Sequence, residues 1–277
     1  MKNNNSIKGL SGICNLGNTC YMNSALQIVL GINELNEYLA NIKTGRDNEN
    51  TIILKEWVDL YNIMSSDNVI VKPDRFLKYL QKVSQIKNNE LFSGFDQNDS
   101  TEFFHFFIDC IHESIKNLDK DILYENVEKS KDFRKYLQGV VKENMSIIQK
   151  MFSGYVEVTY NYNDKPISKQ FEHFFMIHVP LSEIDASTID ECMLKYFVDE
   201  ELCDDNAYFY EKENKKVNVI KKTKIIHTPE ILIVHLKRWN YMNLRKNQKR
   251  VFFENNIDVS DYCIDKFKGN TKYELFG

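Results

Sequence analysis

The chain has 277 residues, 43% of them hydrophobic and 27% charged, with a formal net charge of −4 and a pI near 5.9. Such a length can bury a sizeable core, and the absence of a dominant basic stripe argues against a nucleic-acid partner. The N-terminus MKNNNSIKGL lacks the apolar stretch of a secretory signal, and the apolar run Ile231 to Val234 is far too short to span a bilayer, so the expectation is a soluble chain in the cytoplasm or nucleus with no membrane partner.

The first part reads as helical. Tyr21 to Leu30, Leu54 to Met64 and Phe76 to Val83 carry apolar residues at helix spacing. The strongest pattern starts near Asp99, where Phe103, Phe106, Phe107, Cys110 and Ile111 form one apolar stripe and His105, Asp109 and His112 fall on the other side, which predicts an exposed polar face for those three. From Phe152 the period changes. Val156 to Tyr162 alternates as a half-buried strand does, and HFFMIHVPL, KVNVI and EILIVHLKRW read as further strands, the last apolar enough to predict a central one. The prolines Pro73, Pro166, Pro180 and Pro229 do not cluster, and there is neither repeat nor linker. These patterns predict an α+β protein forming one domain over residues 1–277, helical over about 10–150 and strand-rich over about 151–277, with a cleft between the halves.

Six cysteines (Cys14, Cys20, Cys110, Cys192, Cys203 and Cys263) occur without a C-x-x-C pair. That pattern fits a reducing compartment, and it supports neither a thiolate zinc site nor a redox pair with a resolving cysteine. Cys20 stands out by position, where the loop NLGNT meets an apolar helix. A thiol attacks as its thiolate, and a helix N-terminus stabilises that anion. Gly17 allows a tight turn, and Asn15 or Asn18 could donate a hydrogen bond to a developing oxyanion. The alternative reading is structural: Asn18 or Thr19 caps the helix and Cys20 is a small apolar residue.

The stretch Gly12 to Gln27, GICNLGNTCYMNSALQ, closely resembles the cysteine box of the ubiquitin-specific protease family. The resemblance implies that Cys20 is the nucleophile and Asn15 the oxyanion-stabilising residue. GFDQNDSTEFF, Gly94 to Phe104, resembles the family's acidic box, with Gln97, Asp99 and Glu102 at matching places and Asn98 where a second glutamine is usual. In that family the box holds the basic C-terminal tail of ubiquitin, and carboxylates suit such a tail because they accept charge-assisted bonds from arginine. Asp99 followed three residues later by Glu102 also fits a helix cap, and the two roles are compatible. FSGYVEV, QFEHFFMIHVPL, YFVDEEL, PEILIVHLKRW and KYELF follow the order of the family's finger and palm strands. The resemblance therefore implies a papain-like fold with helical thumb, β palm and β fingers, a monomer whose partner is ubiquitin or a ubiquitinated protein.

Two departures qualify it. Where many members bind zinc through two C-x-x-C pairs, this sequence has TYNYND and YFYEKEN, so no metal or other cofactor is expected and aromatic cross-strand contacts should hold the fingers. The family's catalytic histidine sits in a Gly-His-aromatic box after the late palm strand, and the sequence runs to Gly277 at about the end of that strand. None of His105, His112, His173, His178, His227 and His235 lies in such a box. The expected function is a thiol-dependent deubiquitinase working through a Cys20 thioester; the alternative is a truncated or catalytically impaired ubiquitin-binding module.

Overall fold

A computed structural model describes residues 11–66, 68–118, 131–141, 144–181, 186–240, 245–265 and 267–277. The chain forms two compact units: one comprises residues 1–122, 144–148 and 276–277, the other 123–143 and 149–275.

The first unit is built from helices α1 (Cys20–Leu30), α2 (Asn33–Asn41), α3 (Glu49–Ser66), α4 (Asp74–Ile86) and α5 (Ser100–Ile115), with a short parallel pair β1 (Gly12–Ile13) and β2 (Ile70–Val71). Its core is aromatic. On α5, Phe103 stacks on Phe107 at 6.0 Å, Phe107 meets Trp57 of α3 edge-on at 5.4 Å, and Phe103 meets Phe92 edge-on at 5.8 Å. Offset and edge-on arrangements are those the ring quadrupoles favour. Trp57 is also held by its indole N–H, which donates to Asn36 Oδ1 at 2.9 Å. The Asn36 amide in turn donates to the carbonyls of Val29, Leu30 and Ile32, so one buried side chain satisfies the C-terminal carbonyls of α1. Arg46 does the same for α5, donating to the carbonyls of Glu113 and Lys116 at 3.0 and 2.7 Å.

The stripe expected on α5 is buried, but its other side is not uniformly polar. Asp109 faces solvent and pairs with Lys87 at 3.3 Å, whereas His112 is only 8% exposed and its Nδ1 lies 2.8 Å from Ser146 Oγ. The segment 144–148 covers that flank, anchored by the Asn117 N–H to the Met145 carbonyl at 2.7 Å. The reading of His112 as part of an exposed face is thus corrected by a covering segment, irregular until α7 begins, that the periodicity of α5 does not announce.

The second unit contains α6 (Lys131–Val141), the end of α7 (Ile147–Phe152) and α8 (Ile189–Tyr196), with β3 (Gly154–Tyr162), β4 (Lys165–Phe174), β5 (Ile177–Pro180), β6 (Glu200–Leu202), β7 (Tyr208–Tyr210), β8 (Lys215–Val217), β9 (Val219–His227), β10 (Val234–Lys237), β11 (Trp239–Asn240), β12 (Arg245–Lys246), β13 (Asn256–Asp258) and β14 (Lys272–Glu274). A four-stranded antiparallel sheet runs in the order β4-β3-β9-β6. One cluster joins Phe133 of α6 to Tyr155 and Ile226 of that sheet; another gathers Ile177, Val179, Cys192, Met193, Ile225 and Val259.

The expected strand KVNVI is split between β8 and β9 at Asn218. EILIVHLKRW supplies β10, which pairs in parallel with β5 alone among the described residues and is half-buried rather than central. Where zinc ligands were absent from the sequence, tyrosines meet in pairs: Tyr160 of β3 stacks on Tyr208 of β7 at 4.7 Å, and Tyr162 lies 6.3 Å from Tyr210. Among the described residues, no group of three or more His, Cys, Asp or Glu is placed to hold a metal ion, and no helix is long and apolar enough to cross a membrane.

Candidate active site

All five residues singled out from the sequence lie in the first unit. Cys20 is the first residue of α1 and is exposed, a free thiol whose Sγ has no hydrogen-bond partner among the described residues. The loop before it is turned by two left-handed residues in succession, Gly17 at φ +93° and Asn18 at φ +53°. Glycine and asparagine are the residues that accept this conformation most readily. The turn reverses the chain so that Thr19 reaches the N-cap position.

Thr19 does not cap in the usual sense. Its side chain makes no bond into the helix; instead the hydroxyl donates to Asn15 Oδ1 at 3.0 Å and accepts the Leu16 N–H at 3.0 Å. The start of α1 is left with no side-chain cap and no acidic residue in its first turn. Such a terminus favours an anion placed against it.

The two asparagines have different tasks. Asn15 Oδ1 accepts three hydrogen bonds, from Gly17 N–H, Thr19 N–H and Thr19 Oγ1, all at 3.0–3.1 Å. These fix which end of the amide faces the loop, and Nδ2 bonds to no group among the described residues. Asn18 is committed elsewhere: its Nδ2 donates to the Phe95 carbonyl at 3.1 Å. Asn15 thus has the spare donor; sequence reading had left both open. Asn23, one turn into α1, holds the incoming strand through the Cys14 carbonyl at 3.1 Å.

The acidic segment lies against this loop. Asp99 caps α5: its Oδ1 accepts the Thr101 and Glu102 N–H groups at 2.7 and 3.3 Å and the Thr101 hydroxyl. Gln97 and Glu102 are exposed. Between them in sequence lies Asn98, the one departure from the resembled box, whose Nδ2 donates to the Asp96 carbonyl at 3.1 Å. Burial pushes the Tyr21 phenol above its ordinary pKa of 10.0, with Asn98 opposing that shift. The Tyr21 ring stacks on Phe92 at 5.9 Å and meets Phe103 edge-on at 5.7 Å. Neither Tyr21 nor Asn18 was singled out as a link to the acidic segment; their partners lie some 75 positions away and leave no local signal.

Of the six histidines, His105 and His112 belong to this unit. Burial holds both below the ordinary histidine pKa of 6.5, and His112 is committed to Ser146. Neither of these two bonds Cys20. In the second unit, His178 and His235 are directly paired across β5 and β10 with Nδ1 atoms 2.9 Å apart, and His173 Nε2 lies 2.9 Å from Ser153 Oγ.

In this α+β chain an exposed cysteine opens a helix, an asparagine amide is anchored five residues earlier, and the segment leading to the acidic start of α5 is bonded to the same loop through Asn18. The family model "Ubiquitin carboxyl-terminal hydrolase" matches residues 11–277, and the chain belongs to that family. It is similar to the human protein named ubiquitin carboxyl-terminal hydrolase 2, 27% identical over 294 residues, covering 99% of this chain and 47% of that protein. It is also similar to the Drosophila melanogaster protein named ubiquitin carboxyl-terminal hydrolase Usp2, 25% identical over 279 residues, covering 97% of this chain and 29% of that protein. The chain thus spans about half the length, or less, of the relatives it matches.

Proposed function

We propose that the chain is a thiol-dependent deubiquitinase that cleaves the bond after the C-terminal glycine of ubiquitin. The observation that carries the reading is the pairing of an exposed Cys20 at an uncapped helix start with the Asn15 amide, whose orientation three hydrogen bonds fix. The domain is one catalytic unit over residues 1–277, with residues of about 10–150 as thumb and about 151–277 as palm and fingers. It acts as an intracellular monomer.

In this reading Cys20 Sγ attacks the glycine carbonyl carbon, the carbonyl π electrons move onto oxygen, and Asn15 Nδ2 donates to that oxyanion. Collapse expels the amine and leaves a Cys20 thioester. Water then adds to the thioester, and the thiol departs. The strongly nucleophilic thiol gives its proton to water on attack, and the amine takes one from water as it leaves, so the two transfers balance without a bonded base. Gln97 and Glu102, exposed beside the Asp99 cap, accept hydrogen bonds and charge from the basic tail of ubiquitin.

A second reading, a ubiquitin-binding module that does not turn over, is favoured by one observation: His112, in the same unit as Cys20, is committed to Ser146 and neither it nor His105 bonds the thiol. One experiment separates the two. Hydrolysis of ubiquitin carrying a C-terminal fluorophore is followed beside a Cys20→Ala control, and ubiquitin binding to both proteins is measured by fluorescence polarisation. Turnover lost in the control supports the hydrolase; binding without turnover supports the module; neither activity in a folded protein rejects both.

A further inference from the structure

Two residues that bracket Cys20 hold the same distant segment. On one side Asn18 donates to the Phe95 carbonyl at 3.1 Å. On the other, the Tyr21 ring stacks on Phe92 at 5.9 Å. A third strap comes from α4, where the Gln81 amide donates to the Gly94 carbonyl at 2.9 Å. Residues 92–98, which carry Gln97 and lead into Asp99 and Glu102, are therefore tied to the cysteine loop through Phe92 and Phe95 and to α4 through Gly94.

We propose that Asn18 is a positioning residue whose bond to the Phe95 carbonyl holds the acidic segment in register with Cys20. The proposal rests on the hydrolase reading, because it concerns how a bound ubiquitin tail is aligned with the thiol. The bond is solvent-exposed, and Phe95 itself is 66% exposed, so this contact adds little to folding. Its effect is geometric. The left-handed turn at Asn18 points the amide out of the loop, and anchoring a carbonyl two residues before Gln97 removes the freedom of an otherwise solvent-facing stretch. Misplacing a substrate by about 1 Å can cost on the order of a hundredfold in rate, which makes such a tether consequential.

The test uses Asn18→Gly, which accepts the positive φ without strain but has no donor, and Asn18→Asp, which keeps size and turn preference but cannot donate to a carbonyl. Three quantities are read on the full chain: amide hydrogen exchange over residues 92–98, kcat and KM on the ubiquitin fluorophore conjugate, and alkylation of Cys20 by iodoacetamide. Both variants should exchange faster across 92–98 and lose about tenfold in kcat/KM, chiefly through KM, while alkylation stays within about twofold. In combination with Gln97→Ala the loss should be smaller than the product of the single losses, since both substitutions act through one segment. Unchanged exchange, a parallel fall in alkylation, multiplicative losses, or wild-type behaviour of Asn18→Asp would overturn the proposal. A wild-type protein that neither binds nor hydrolyses the conjugate would reject the hydrolase reading instead, and the exchange comparison would still decide whether Asn18 tethers the segment.

Discussion

Asn15→Asp separates the two tasks of one side chain. Aspartate keeps an acceptor where Oδ1 receives Gly17 N–H, Thr19 N–H and Thr19 Oγ1, so the loop that presents Cys20 retains its three bonds. Only the other atom changes, from the donor Nδ2 to a second carboxylate oxygen. Removing a single oxyanion donor costs about 10²–10³ in kcat, or about 2.7–4 kcal/mol of transition-state stabilisation, and a negative charge in its place adds to that loss. Asn15→Ala removes donor and acceptor together. The residue is exposed and water replaces part of what is lost, so the three bonds should amount to about 1–2 kcal/mol of local stability beyond the catalytic effect. The assay is hydrolysis of the ubiquitin fluorophore conjugate, read as kcat at saturating substrate, beside urea unfolding of each variant. Asn15→Asp should unfold within about 0.5 kcal/mol of wild type and lose at least about a hundredfold in kcat. Wild-type kcat in Asn15→Asp would refute the assignment of Nδ2 as oxyanion donor, however the loop itself behaved.

Asn36→Leu should destabilise the protein by about 2–3 kcal/mol in urea unfolding, because it strands the buried indole N–H of Trp57 and removes the side-chain bonds to the carbonyls of Val29, Leu30 and Ile32, of which Val29 and Ile32 keep a backbone partner. His112 is held neutral by burial, so the unfolded state takes up its proton first: stability should be fully present above about pH 6.5 and fall as pH drops, by at most about 1.4 kcal/mol per pH unit until the folded pKa is passed. His112→Gln, read by thermal unfolding at pH 5 and pH 8, should flatten that dependence; an unchanged slope would assign it to other groups. Tyr160→Ala should cost about 1–2 kcal/mol through loss of the stack on Tyr208, with Tyr160→Phe close to wild type, and EDTA should leave Tm unchanged. A chelator-induced fall in Tm would mean that a metal, not the tyrosine pairs, clasps these strands.

The placement of Asp99 bears on how the acidic segment works. A carboxylate that accepts two helix N–H groups at the start of α5 satisfies donors that the helix itself leaves open there. It therefore fixes the helix start from which Glu102 faces solvent.

By itself the sequence determined whatever depends on neighbours along the chain. Gly17 and Asn18 make the left-handed turn from which α1 starts at Cys20, Asp99 starts α5 through its own cap, and the alternation after Phe152 produces β3. Its likeness to a family also picked out Cys20, Asn15, Gln97, Asp99 and Glu102, all of which fall in one compact unit. Only the tertiary structure decided which asparagine keeps a spare donor, because that depends on a carbonyl 77 positions from Asn18. It likewise buried His112 beneath residues 144–148 and, among the described residues, paired β10 with β5 alone. The physical reason is common to all three: period and turn chemistry report a residue's own backbone and face, whereas hydrogen-bond partners and burial are set by whichever distant segment packs there, and local propensity carries no record of it.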